Sequence, residues 1–509
     1  HRRRHQRPVR KEEIAMAEIP VRGAPRMLRP LYFGGLCIAL LACTAGRAPS
    51  VVDTTATNPP PTDSSGHHDW MRFGWDVAGS SAPSVSMSVT AANVASMTRR
   101  QVTLDGTVDA SAIYLHGVQV AGATHDVFFV TTTYGKTIAI DADAGTILWE
   151  YTPSSYNQLA GSAQITTATP VADPGRAFIY AASPDGYIQK LAVADGHVAW
   201  HTSITKLPTR EKIASALNFF NGRVIAVTGG YIGDAPPYQG HVAILDGAAG
   251  TLLHVWNTLC SGQTGLLDPA SCPESDSAIW GRAGAVVDST TGNIYIATGN
   301  ALWDGTTNWG DAVLELNPDA TTMLGNFTPA NTAQLNADDA DLGSTSPVLL
   351  GGGLVAQGGK DAIIRVLDWS RMAGTTPHQD NESSQVATPS GDRLFTEPAV
   401  FRSGGGTWLI AADNGATTAW TLQGQQLAQQ WHVTSGGTSP VVVDGLAFVY
   451  NPSGGLNVYE ATTGKLVTTL SCGGGHWNSP IVVDGRIALP EGNANSHQTS
   501  GVLDIWRVP

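Results

Sequence analysis

Amphipathic helical periodicity is nearly missing from this chain of 509 residues, and so is charge. Asp, Glu, Lys and Arg make up only 14% of it, which leaves strands and turns as its working units. Basic stripes are absent, as are a phosphate-binding P-loop and any GxGxxG phrase in a supporting context. The net charge of −13 also argues against nucleic acid, which wants a basic face. There are only five cysteines, and none lie in a C-x-x-C-H or an adjacent Cys-Cys arrangement. A covalently attached haem is thereby excluded, so any electrons handled here would leave to a separate carrier.

Glycine and proline are abundant, at 57 and 29 residues. Short runs such as Asn293–Ala297 and Leu446–Tyr450 are β-branched or aromatic and bounded by Gly, Asn or Asp. Two phrases recur among them. One, Ala139 to Trp149, reads A-x-D-x-x-x-G-x-x-x-W. Asp141 can close a turn with its carboxylate, Gly145 supplies a left-handed position, and Trp149 is a flat body for packing on a neighbouring sheet. Worn copies keep Gly196 and Trp200, Asp246 and Gly250, and Glu460 and Gly464. The other phrase is a small residue or Glu, then Pro, then an apolar run. It occurs at Pro170, Pro347, Pro398, Pro440 and Pro480, with looser versions at Ala112, Ala216 and Ala283.

Eight such units at a spacing of about 40–50 residues predict an all-β fold. A single β-propeller of eight four-stranded blades is expected over residues 69–509. The last unit is short of a strand. Trp70–Asp76, ahead of the first unit, is expected to supply it and close the ring.

The N-terminus suggests export. Residues 1–26 read as an upstream or non-native segment. From Met27 a basic residue, an apolar run and Leu40-Leu41-Ala42-Cys43 follow, as in a bacterial lipoprotein signal. Residues 27–42 would be removed, Cys43 would carry lipid, and residues 43–68 would form a flexible tether. Attachment to a membrane would then be only through that anchor, and the location would be the bacterial cell envelope. An ordinary signal peptide with an incidental Cys43 is the alternative. Loss of residues 1–42 would leave 20 basic and 39 acidic side chains, a charge of about −19. In an oxidising compartment Cys260 and Cys272 could form a disulfide, and Cys472 would be a small buried residue.

The docking phrase and its repeats resemble the pyrroloquinoline quinone (PQQ)-binding-like β-propellers, which include quinoprotein alcohol dehydrogenases and polyvinyl alcohol dehydrogenase-like proteins. The resemblance covers Trp70 to Pro509 and is densest from Ala278 to Leu350. It implies that Trp280 stacks on PQQ, that Asn300 of Thr298-Gly299-Asn300 binds Ca²⁺ through its amide oxygen, and that Asp341 joins it as a ligand. Asp341, with Asp339 as second choice, would be the base that takes a hydroxyl proton from an alcohol or polyol. Lys360 would lie over the quinone oxygens. Read alone, each has a plainer role: a Trp between blades, a Gly-Asn turn, an acidic cap, a solvated lysine.

One departure stands out. Where these dehydrogenases supply a Glu to the metal, this chain has Tyr231, with Asp234 or Glu397 as conceivable substitutes. That departure favours the alternative, a non-catalytic propeller that binds an envelope protein or glycan, as outer-membrane assembly lipoproteins do.

Overall fold

A computed structural model describes residues 66–509. Residues 1–26, the signal segment 27–42, Cys43 and the tether up to residue 65 lie outside the described residues. Within them, eight four-stranded antiparallel sheets stand in a ring. The first blade is Ile113–Val120, Ala123–Thr131, Thr137–Asp141 and Ile147–Tyr151. Every recurring small-Pro phrase leads into the first strand of a blade, as at Val348–Gly351, Ala399–Ser403, Val441–Val443 and Ile481–Val483. Pro has no N–H for a ladder, so it fits just ahead of a strand. First strands such as Val441–Val443 are wholly buried, whereas fourth strands such as Val198–Ser203 are half exposed, so the first strands line the axis. Asp444-Gly445 and Asp484-Gly485 then turn the chain back. All four residues have positive φ, as two-residue hairpins of the primed type require.

The docking phrases join blades. The Trp149 indole N–H donates to Val193 O at 2.9 Å, and its ring covers Gly196, where a Cβ would come within 2.7 Å. Trp200 covers Gly250 in the next blade, and Trp431 covers Gly464 while donating to Ala461 O at 2.9 Å. In each pair the glycine has positive φ and lacks the side chain that would hold the indole off. At the seam, Arg100 and Val102 cover Gly145, and the Arg100 guanidinium donates to Ala144 O.

Ring closure follows the expected principle through a different segment. The eighth blade is Ile481–Val483, Arg486–Glu491 and Gly501–Arg507, completed by Thr98–Leu104. Thr98 pairs with Arg507 and Leu104 with Gly501. Trp70–Asp76 is not a strand. Gly74 and Trp75 both have positive φ, which breaks an extended run, and the segment straps the blades instead. Trp70 is fully buried and exchanges two backbone hydrogen bonds of 2.8 Å with Tyr114. Thr98–Leu104 escaped notice because an outermost strand faces solvent. Thr98 to Gln101 are all exposed, and only Val102 and Leu104 are buried.

Cys260 and Cys272 are disulfide-bonded. Cys472 is a half-buried thiol, pushed up to about 12 by burial. Among the described residues, no helix is long and apolar enough to cross a membrane.

Candidate functional site

The side chains of Trp280, Asp341 and Lys360 and the backbone N–H of Asn300 meet on one face of the ring. Trp280 precedes the first strand of the fourth blade, Val286–Val287, and Asn300 follows its second, Ile294–Ala297. Asp341 and Lys360 occupy the matching places around Val348–Gly351 and Leu354–Gln357 of the fifth. Loops before a first strand and after a second lie at the same end of an antiparallel pair, so blade architecture itself gathers these residues.

Asp341 is the hub and is 1% exposed. One carboxylate oxygen accepts the Asn300 backbone N–H at 2.8 Å, and the other pairs with the Lys360 ammonium. Trp280 and Asp341 flank Gly299. A Cβ there would stand 3.3 Å from the indole and 2.3 Å from the Asp341 carboxylate. Gly229 borders the same indole, where a Cβ would be 3.4 Å away. Trp280 is therefore a partly exposed plate set between two glycines. Asp339, at the rim with positive φ, is largely exposed and lies 3.1 Å from Lys360 Nζ.

Burial dominates the electrostatics. It drives the Asp341 pKa above the usual carboxylate range, although Lys360 and the Asn300 N–H both oppose it. Burial also disfavours charge on Lys360, yet Asp341 and then Asp339 hold its pKa above the ordinary value.

Tyr231 faces elsewhere. Its hydroxyl donates to Pro208 O at 2.9 Å, and its ring joins an apolar cluster with Tyr134, Ile165 and Ala494. Asp234 accepts a hydrogen bond from the Tyr238 hydroxyl at 2.8 Å. Glu397 is fully buried against the Ser346 N–H, 2.9 Å away, with its pKa raised to about 8 by desolvation.

Three further residues belong here. Asp311 is wholly buried behind Asp341. One oxygen accepts the Leu342 N–H at 3.0 Å, and the other has no hydrogen-bond partner. Desolvation raises its pKa to about 8. Lys212 pairs with Gly229, the neighbour of Trp280, in a two-residue ladder. Among the described residues its ammonium has no hydrogen bond or ion pair, and desolvation lowers its pKa to about 8. Arg282 donates to Asp109 O at 3.0 Å and keeps a buried Nε without a partner. Asp311 carries no motif in the sequence. Lys212 had no signal beyond its place before an inner strand, and Arg282 sat unremarked two residues after Trp280.

A cavity of about 710 Å³ opens on the opposite face, lined by residues such as Gly352, Phe401 and Arg402 in the first hairpins of the blades. It shares no residue with this site.

The family model of outer membrane protein assembly factor BamB matches residues 91–303. That span holds Trp280 and Asn300 but stops short of Asp341 and Lys360. Among solved structures, quinohemoprotein alcohol dehydrogenase from Comamonas testosteroni is 16% identical at a TM-score of 0.64, covering 86% of this chain and 80% of that one. Quinohemoprotein alcohol dehydrogenase ADHIIG from Pseudomonas putida HK5 is 15% identical at 0.66, covering 88% and 82%. A europium-containing methanol dehydrogenase is 14% identical at 0.65, covering 86% and 98%. The fold is that of the PQQ-binding-like β-propellers. At these identities the likeness to the solved structures shows the fold alone. No curated protein sequence matches this chain.

Proposed function

We propose that this propeller binds a planar, carboxylate-bearing quinone of the PQQ type over Trp280 and oxidises an alcohol or polyol beside it. The observation that carries this is the contiguous set Trp280–Gly299–Asp341–Lys360. The residues suit such a ligand. Trp280 offers an indole face between glycines, and Lys212 offers a buried ammonium with no protein partner. Arg282 lies near enough to Lys212 to depress its pKa, and the pair would balance the ligand's carboxylates.

The same residues do not make a hard-cation site. Both Asp341 oxygens are already engaged, by the Asn300 N–H and the Lys360 ammonium. Tyr231, at the place of the missing Glu, is turned away. Asn300 and Asp341 would offer only a few oxygens, where Ca²⁺ wants six or more. The expected pair Asn300 and Asp341 is therefore not carried forward as calcium ligands, and Lys360 stands as the positive charge.

A bound quinone would supply the two-electron acceptor. Asp341 takes the hydroxyl proton of the substrate at its carboxylate. Lys360 opposes the effect of burial on that carboxylate and favours its charged form. Asp311, neutral at pH 7, lies behind it without adding a second negative charge. Asp339 holds the outer side of Lys360.

Titration of full-length protein with PQQ, read by tryptophan fluorescence and quinone absorbance, tests this directly. Saturable quenching that disappears in Trp280→Ala supports it, and a flat titration ends it.

A second function has its own observation. Tyr231 stands where the resemblance places a metal-ligating Glu, and it is committed to apolar packing with Tyr134, Ile165 and Ala494, which favours a non-catalytic propeller. The BamB match covers every member of that cluster except Ala494. On this basis the chain would be a scaffold for an envelope protein or glycan. For either function we place the protein in the bacterial envelope, held by lipid on Cys43.

A further inference from the structure

Away from this site, three segments converge at the seam where the ring closes. His67 lies on the lead into the propeller, His116 in the first strand of the first blade, and Asp484 in the first hairpin of the eighth. One ligand atom from each lies within 4.8 Å of the other two. His67 Nδ1 is 3.1 Å from Asp484 Oδ2, and the two imidazoles stack with centroids 4.0 Å apart. Local structure puts each in place. His116 falls in a bulge, where pairing skips from Leu115 to Val118. Asp484 adopts positive φ in its two-residue turn and also accepts the His68 N–H at 3.1 Å.

We infer that His67, His116 and Asp484 form a site for a divalent transition-metal ion of the zinc class, which fastens the lead across the seam between the first and eighth blades. Two imidazole nitrogens and a carboxylate oxygen are the donor set of zinc, not of calcium or magnesium. The surroundings support this assignment. His116 Nδ1 lies 2.7 Å from Asp126 Oδ1, close enough for that carboxylate to orient the imidazole and leave Nε2 for an ion. Asp126 is in turn held by Arg486 at 3.0 Å. The Asp484 side chain is 4% exposed, whereas that of His67 is 45% exposed and can swing from the stack to complete the sphere. Solvent supplies the fourth ligand.

The test uses full-length protein stripped with EDTA and titrated with ZnCl₂, followed by calorimetry and limited proteolysis. One zinc ion per chain is expected, with affinity lowered at least tenfold, roughly, in both His67→Gln and His116→Gln. Asp126→Asn should weaken it by a smaller factor. Zinc should slow cleavage ahead of Trp70 in the wild type and not in His67→Gln. Because His67 is half exposed, His67→Gln folds as the wild type does even where a change at Asp484 does not. Equal zinc affinity in wild type and His67→Gln overturns the inference. So does zinc held by histidines elsewhere in the chain, which both variants would retain.

Discussion

Lys360 and Asp341 are joined twice, ammonium to carboxylate and Lys360 N–H to Asp341 carbonyl at 2.9 Å. The backbone bond fixes the lysine's position, and the ion pair fixes the charge of the base. Removing the ammonium would leave a buried carboxylate with only the Asn300 N–H, and its pKa would climb further. In Lys360→Met the acid limb of alcohol oxidation should move to higher pH, while quinone binding weakens only modestly. Rate profiles at saturating PQQ check this, and an unmoved limb would show that Asp341 is not the titrating base.

Asp341→Asn should separate binding from chemistry. The isosteric amide keeps the Asn300 contact, so fluorescence quenching by PQQ should persist. Oxidation should fall at least about a hundredfold, the usual scale for a lost base. Stopped-flow reduction of bound quinone reads this step.

Two neutral carboxyls make stability depend on pH. Burial raises Glu397 from an ordinary 4.5, and Asp311 from 3.8, each to about 8. The native state therefore binds more protons than the unfolded one between those values. Their contribution is full below the unfolded values and lost as pH rises through about 8, with a slope near 1.4 kcal/mol per pH unit for each group. Melting temperature should fall from pH 5 to pH 8, and Glu397→Gln should flatten the curve. Equal slopes in both proteins would contradict the neutral Glu397.

Docking pairs should be intolerant of any side chain on the glycine. In Gly464→Ala the new Cβ would stand 2.6 Å from the Trp431 indole at a residue with φ of 70°. A loss of about 1–3 kcal/mol is expected in chemical denaturation. Gly352→Ala, with open space around it, should cost less, from backbone strain alone.

Much of this architecture was legible because a propeller repeats its physics. Pro170, Pro347, Pro398, Pro440 and Pro480 each mark an inner strand, and the Asp-Gly pairs mark its hairpin. Thr98–Leu104 was not legible, because an outermost strand is mostly polar and carries little alternation. Trp280, Asn300, Asp341 and Lys360 were found through resemblance, and blade geometry brings them together. Lys212 and Asp311 were hidden because their chemistry comes from burial, which a single sequence does not display. Tyr231 was noticed only as a departure, and its packing into the Tyr134 cluster needed three-dimensional neighbours.

The most direct measurement is a PQQ titration of full-length wild type, Trp280→Ala and Lys212→Met at pH 7 and pH 9. Saturable quenching should appear in the wild type at pH 7, vanish in Trp280→Ala, and weaken in Lys212→Met. Raising the pH through about 8 should weaken the wild type as the Lys212 ammonium is lost, and should leave Lys212→Met nearly unchanged. A flat titration of folded wild type at both pH values would contradict quinone binding at Trp280.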